Sequence, residues 1–87
     1  MRDLLVTGQF RKDFSRAPSD IKKSTLLAIR KLRANPLDSS LDTKKLVKIT
    51  PAVYRIRIGH YRLIYSFTKT TLTLHRFRHR KDIYRGL

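Results

Sequence analysis

The chain contains no cysteine. This excludes disulfide bridges and thiolate metal sites, and it fits a reducing compartment. Glycine is scarce, with only three residues, too few for the loops that cradle nucleotide phosphates. Acidic residues number six and are scattered. His60, His75 and His79 lack a ligand spacing that would place them together on one face, so metal hydrolysis finds no support. No serine–histidine–acid arrangement stands out. No apolar run approaches the roughly 20 residues that span a bilayer. The segment from Met1 to Val6 carries an acid and is too short in apolar residues for a secretory signal. The expectation is a soluble cytoplasmic chain with no metal, no cofactor and no membrane partner.

Positive charge, by contrast, is abundant. Lys and Arg number 21, for a formal net charge of +15 in 87 residues. That length is one small domain, residues 1–87, and such a domain buries only roughly 60% of its unfolded surface. With disulfides excluded, an efficient core or a partner must supply stability. A modest excess of charge is ordinarily a solvated surface. An imbalance this large costs stability through self-repulsion. Phosphate-rich nucleic acid is the commonest compensating partner, followed by an acidic protein or an anionic membrane surface.

The chain divides into two halves of different pattern. Asp3 to Thr7 reads as a short strand ended by Gly8. Gln9 to Arg16 has Phe10 and Phe14 at i,i+4 spacing, a short helix, which Ala17-Pro18 stops. Ser19 stands where an N-cap belongs and Asp20 in the first turn. Ile21, Thr25, Ala28, Ile29 and Leu32 then recur at helical spacing to about Ala34, before Asn35-Pro36. The other side of that helix carries Lys22, Lys23, Arg30, Lys31 and Arg33, a solvated face that can add to a nucleic-acid field. Leu37 to Thr43 reads as a loop, and Lys44 to Ile49 as a weak strand. Ala52 to Ile58, Tyr61 to Phe67 and Thr71 to Phe77 alternate strictly and are rich in β-formers, an antiparallel meander. The fold class is therefore α+β: an N-terminal strand, then two helices packed on one face of an antiparallel sheet, with the other face open.

The hairpin carries the sharpest inference. With Gly59-His60 as a two-residue type II′ turn, Ile58 pairs with Tyr61, Arg57 with Arg62, and Arg55 with Ile64. Alternation gives Tyr54, Ile56, Ile58, Tyr61, Leu63, Tyr65 and Phe67 one face. Arg55, Arg57 and Arg62 fall on the other. Like charges opposed across a hairpin are unfavourable, so either the arginines simply face water or function put them there. Guanidinium groups bind phosphate oxygens bidentately and can stabilise a phosphoryl-transfer transition state.

The run Tyr54-Arg55-Ile56-Arg57-Ile58-Gly59-His60-Tyr61-Arg62-Leu63-Ile64-Tyr65 resembles the central hairpin of the RelE/ParE toxin superfamily. The tail His79-Arg80-Lys81-Asp82-Ile83-Tyr84 is similar to that superfamily's C-terminal segment. The order of elements agrees too, so the resemblance covers nearly the whole chain and implies a RelE-like microbial ribonuclease-type fold. It implies a type II toxin neutralised by a cognate antitoxin, acting on messenger RNA at the ribosome. Arg55 and Arg57 would occupy the places of two active-site lysines, and Arg62 that of a transition-state arginine. Arg80, or Arg78 in the alternative alignment, would be the tail arginine that protonates the leaving group, and Tyr84 the tyrosine stacked on a substrate base. Base stacking contributes roughly 1–3 kcal/mol. Lys44, Lys45, Lys48, Arg78 and Lys81 would contact the RNA. The implied chemistry is metal-independent attack by the substrate's own 2′-hydroxyl. Arginine is a poor general base, so His60 and His79, with His75 as a third candidate, could move the proton.

Two other readings stand beside the ribonuclease. One is a ParE-like poison of DNA gyrase, which shares the fold without the ribonuclease constellation. The other is a non-enzymatic nucleic-acid-binding module, which needs only charge and exposed aromatics. The tyrosines on the helix-covered face read as core rather than as a stacking platform, which weakens that module.

Overall fold

The computed structural model describes residues 1–46 and 52–83. Its elements in chain order are β1 (Asp3–Val6), α1 (Gly8–Ser15), α2 (Ser19–Ala34), β2 (Thr43–Leu46), β3 (Val53–Ile58), β4 (Tyr61–Phe67) and β5 (Thr71–His79). The five strands form one sheet in the order β1-β5-β4-β3-β2. The meander and β2 pair antiparallel. The first strand does not: β1 runs parallel to β5, Asp3 opposite Thr71 and Val6 opposite Leu74, so the sheet is mixed. The two helices carry the chain from β1 at one margin of the sheet to β2 at the other. The expected strand over Lys44–Ile49 is β2, which begins at Thr43; residues 47–49 lie outside the described residues.

Both helices lie on one face. Phe10 of α1 and Ala28, Ile29 and Leu32 of α2 pack against Ile56, Ile58, Leu63, Tyr65, Leu72, Leu74 and Phe77, the face expected from the alternation. Thr25 belongs to the buried stripe because its hydroxyl donates to the Ile21 carbonyl at 2.6 Å, which satisfies that group inside the core. The Tyr65 hydroxyl is buried too and donates to the Pro36 carbonyl at 2.6 Å; burial pushes its pKa up to about 12.

The caps differ from expectation. Thr7, which the pattern assigns to the strand, caps α1: its side chain accepts from the Phe10 N–H. Ser19 is the first residue of α2 rather than its cap. Pro18 holds the cap position in extended geometry and its carbonyl accepts the Lys22 N–H at 3.0 Å, because a proline ring fixes φ and leaves the carbonyl free to begin the helix. No helix among the described residues is long and apolar enough to cross a membrane.

The margin of β5 is closed by a side chain. β1 accompanies β5 only from Thr71 to Leu74. Beyond that, α1 runs alongside and presents Asp13, which is 5% exposed. Its Oδ2 accepts the Phe77 N–H at 3.0 Å and the Arg76 Nε–H at 3.0 Å, while Gln9 donates to Oδ1. Burial pushes the Asp13 carboxyl up, but the Phe77, Arg76 and Gln9 hydrogen bonds outweigh it and hold it below the ordinary aspartate value.

The second face of the sheet is not fully open as the pattern suggested. The chain turns after β5 and sets Ile83, 1% exposed, against Val53 and Ile64, with Leu46 beside them. Arg55, Arg57, Arg62 and Arg78 share that face with them.

Replacing Asp13 by Ala is expected to cost about 3 kcal/mol in denaturant unfolding, since it strands a buried N–H and a guanidinium together. A carboxyl held low in the folded state stabilises fully above its unfolded value and loses that contribution as pH falls through the folded one. The wild-type protein should therefore lose stability below about pH 4 more steeply than the Asp13→Asn variant.

Candidate nucleic-acid interface

The β3–β4 turn sets the site's register. Gly59 has φ of 59°, the positive value that the first position of a type II′ turn demands. A Cβ there would also meet Ile21 Cδ1 at 3.3 Å. The turn places Arg57 opposite Arg62 and Ile58 opposite Tyr61, as the hairpin pattern requires. On the far side of β4, Arg62 is in turn opposite Arg78. Arg57, Arg62 and Arg78 thus form a row across three adjacent strands, which lie about 4.8 Å apart.

Such a row repels itself, and two aspartates temper it. Asp42, in the loop before β2, lies 3.3 Å from the Arg57 Nε and 3.9 Å from the Arg55 Nη1. Asp13 lies 3.9 Å from the Arg78 Nε. The Arg62 Nη1 donates to the carbonyls of Gly59 at 3.1 Å and Tyr61 at 2.9 Å, so its guanidinium is drawn back onto its own turn.

Arg55 differs from the other arginines of the hairpin. It is 6% exposed, its Nη1 donates to the Asp42 carbonyl at 3.3 Å, and its Nε is buried without a hydrogen-bond partner among the described residues. Arg57 is exposed. The sequence places the two on one face, and that holds, but only Arg57 meets solvent.

The remaining candidates are dispersed. Lys44 stands opposite Arg55 and Lys45 opposite Tyr54, so the two exposed lysines of β2 sit on opposite faces. Lys48 and Tyr84 lie outside the described residues. Arg80 and Lys81 are exposed in the turn after β5. The Arg80 N–H donates to the His60 carbonyl at 2.7 Å, which fastens that turn to the hairpin. His60 is exposed, and its ring lies 5.9 Å from that of His79. His79 is opposite Tyr61, on the helix-covered side, away from the arginine row. His75 occupies the irregularity between β4 and β5, where the pairing shifts by one residue. Its Nε2 is 2.7 Å from the Ser66 Oγ, and burial pushes its pKa down, which favours the neutral ring.

Sequence reasoning missed Asp13, Asp42 and Ile83. A lone acid on a short helix or in a polar loop gives no signal of its own; only the strand register shows which arginines each one faces. Among the described residues no cluster of three or more His, Cys, Asp or Glu could hold a metal ion. A polar cleft lined by Asp13, Arg16, Tyr61, Phe77, Arg78, His79 and Asp82 opens beside the row.

A family model described as the ParE toxin of type II toxin–antitoxin system, parDE, matches residues 4–84. Toxin RelE3 of Methanocaldococcus jannaschii is 37% identical over 83 residues, which cover 93% of each chain. The toxin fold recurs in the crystal structure of the RelB-RelE antitoxin-toxin complex from Methanococcus jannaschii, with a TM-score of 0.80 and 34% identity over 92% of this chain and 94% of the other. The Escherichia coli DinJ-YafQ toxin-antitoxin complex matches with a TM-score of 0.81 over 95% and 97% of the two chains, a likeness of fold alone at 20% identity. With both sequence and fold in agreement over nearly its whole length, the chain belongs to the RelE/ParE family of type II toxin–antitoxin toxins.

Proposed function

We propose that this toxin is a metal-independent endoribonuclease that cuts messenger RNA on the ribosome. The observation that carries this reading is the in-register row of Arg57, Arg62 and Arg78, beside a C-terminal turn that holds Arg80 at the hairpin. A scissile phosphate laid across the row meets guanidinium donors from adjacent strands, the arrangement that stabilises charge developing on phosphoryl oxygens. The substrate's 2′-oxygen forms a bond to phosphorus as the bond to the 5′-oxygen breaks. The proton lost by the 2′-hydroxyl is made good on the 5′-oxygen, leaving a cyclic phosphate and a free hydroxyl. Arg57 and Arg62 act on the phosphate. Arg55 serves from beneath, holding Asp42 and through it Arg57. Arg80 acts on the leaving oxygen as a hydrogen-bond donor. Tyr84 stacks on a base, and Lys44, Lys48 and Lys81 follow the backbone, while Lys45, on the face of Tyr54, adds only to the surrounding field.

The partner that silences the toxin in this reading is a cognate antitoxin, as in the RelB and DinJ complexes of its relatives. An acidic segment with an apolar stripe offsets the net charge of +15 and shields the arginine row. Gyrase poisoning is the second reading, favoured by the family model's description as a ParE toxin.

In a cell-free translation system, primer extension should reveal discrete cuts within the translated frame, lowered by a factor of about 10² or more in Arg62→Ala. An intact message beside a folded, toxic protein would refute the ribonuclease and turn attention to gyrase supercoiling. The Arg55→Ala variant should behave differently: about 1–3 kcal/mol of lost stability accompanies its loss of cleavage, visible as a lower denaturant midpoint. The exposed Arg57→Ala should leave that midpoint nearly unchanged.

A further inference from the structure

We propose that His79 is the positioning residue of the C-terminal turn: its ring Nδ1 accepts the Lys81 N–H, and so holds Arg80 at the hairpin. The consequence for catalysis rests on the ribonuclease reading; the hydrogen bond does not.

Residues 80–83 offer four successive N–H groups, and each has an acceptor. Arg80 donates to the His60 carbonyl at 2.7 Å, and Asp82 and Ile83 donate to the His79 carbonyl at 2.8 and 3.1 Å. The Lys81 N–H has the His79 Nδ1, at 3.2 Å. Three of the four therefore end on His79. A backbone N–H can only donate, so Nδ1 must present its lone pair, and the neutral ring then carries its proton on Nε2. Asparagine and aspartate make the same contact, a side-chain acceptor for the N–H two residues on, in an Asx turn. Histidine does it here with a ring nitrogen.

The ring is held in place for this. Tyr61 meets it edge-on with centroids 5.7 Å apart, and the His60 ring lies at 5.9 Å. The cleft around it brings Asp13 from α1, Arg16 from the cap that follows it, Arg78 from β5 and Asp82 from the turn itself. On the helix-covered side, with Nδ1 committed, His79 is placed to orient Arg80 and not to shuttle a proton at the arginine row. Its hold extends to the other end of the turn, where Ile83 closes the apolar cluster on the second face.

The test combines imidazole nitrogen NMR of the full chain, amide exchange at Lys81, and cleavage by His79→Ala and His79→Asn. The expected signature is the Nε2–H tautomer at His79. Lys81 should exchange slowly in the wild type and in His79→Asn, and at least about tenfold faster in His79→Ala. Cleavage should fall about tenfold or more in His79→Ala and recover in His79→Asn, which restores the acceptor without an imidazole. An Nδ1–H tautomer, or equal Lys81 exchange in wild type and His79→Ala, would overturn the proposal. So would a His79→Asn variant that protects Lys81 yet cuts no better than His79→Ala, since the imidazole itself would then be needed. If the wild type cuts no message, the ribonuclease reading fails alone, and tautomer and exchange still decide the role of His79.

Discussion

One buried carboxylate ties the two halves of the chain together. Asp13 comes from α1, and the groups it binds come from β5, more than 60 residues later. β5 lies between β1 and β4, presents Arg78 to the arginine row, and leads into the C-terminal turn. Without an acceptor on that margin, the Phe77 N–H would be buried unpaired beside two arginines, a cost comparable to a large part of a small domain's net stability. Everything downstream, from the placement of Arg78 to the anchoring of Ile83, depends on β5 lying where Asp13 fixes it.

The charge economy of the chain follows the same pattern. Six aspartates face 21 basic residues, and two of those aspartates are each set between a pair of arginines. Asp42 lies near Arg55 and Arg57, and Asp13 near Arg76 and Arg78. Each pair contains one arginine of the row. Those two acids therefore stand where like charges are forced together by strand register, while the lysines and arginines of α2 repel one another mainly across water, where separation and salt weaken the effect.

Much of this fold was legible because its signals are local. A glycine at the first turn position and strict alternation on both sides of Gly59-His60 determine the pairing of β3 with β4, and with it the faces of seven apolar residues and three arginines. The parallel docking of β1 was not legible, since a short apolar strand does not name its neighbour and β5 lies far away in sequence. Ser19 was misplaced by one residue because Ser and Pro both suit a helix start and the pattern cannot rank them. The burial of Arg55 escaped for another reason: alternation assigns a face, but not what lies over it. Asp42 and the turn bearing Ile83 reach that face from loops, which carry no periodicity. The exposed Arg57 and the buried Arg55 look identical in a pattern of every second residue.

Among the described residues, the sheet's two outermost strands, β1 and β2, span four residues each. Unsatisfied strand margins invite other chains to add to them, and brevity together with lysine is a common defence. Here β2 carries Lys44 and Lys45, and the net charge makes any second copy a repulsive neighbour. Fibril-like stacking of this chain on itself is thus opposed at both margins, by geometry at β1 and by charge at β2. The same features leave an acidic polymer or an acidic peptide free to approach, so the molecule's colloidal behaviour and its choice of binding partner have a single origin.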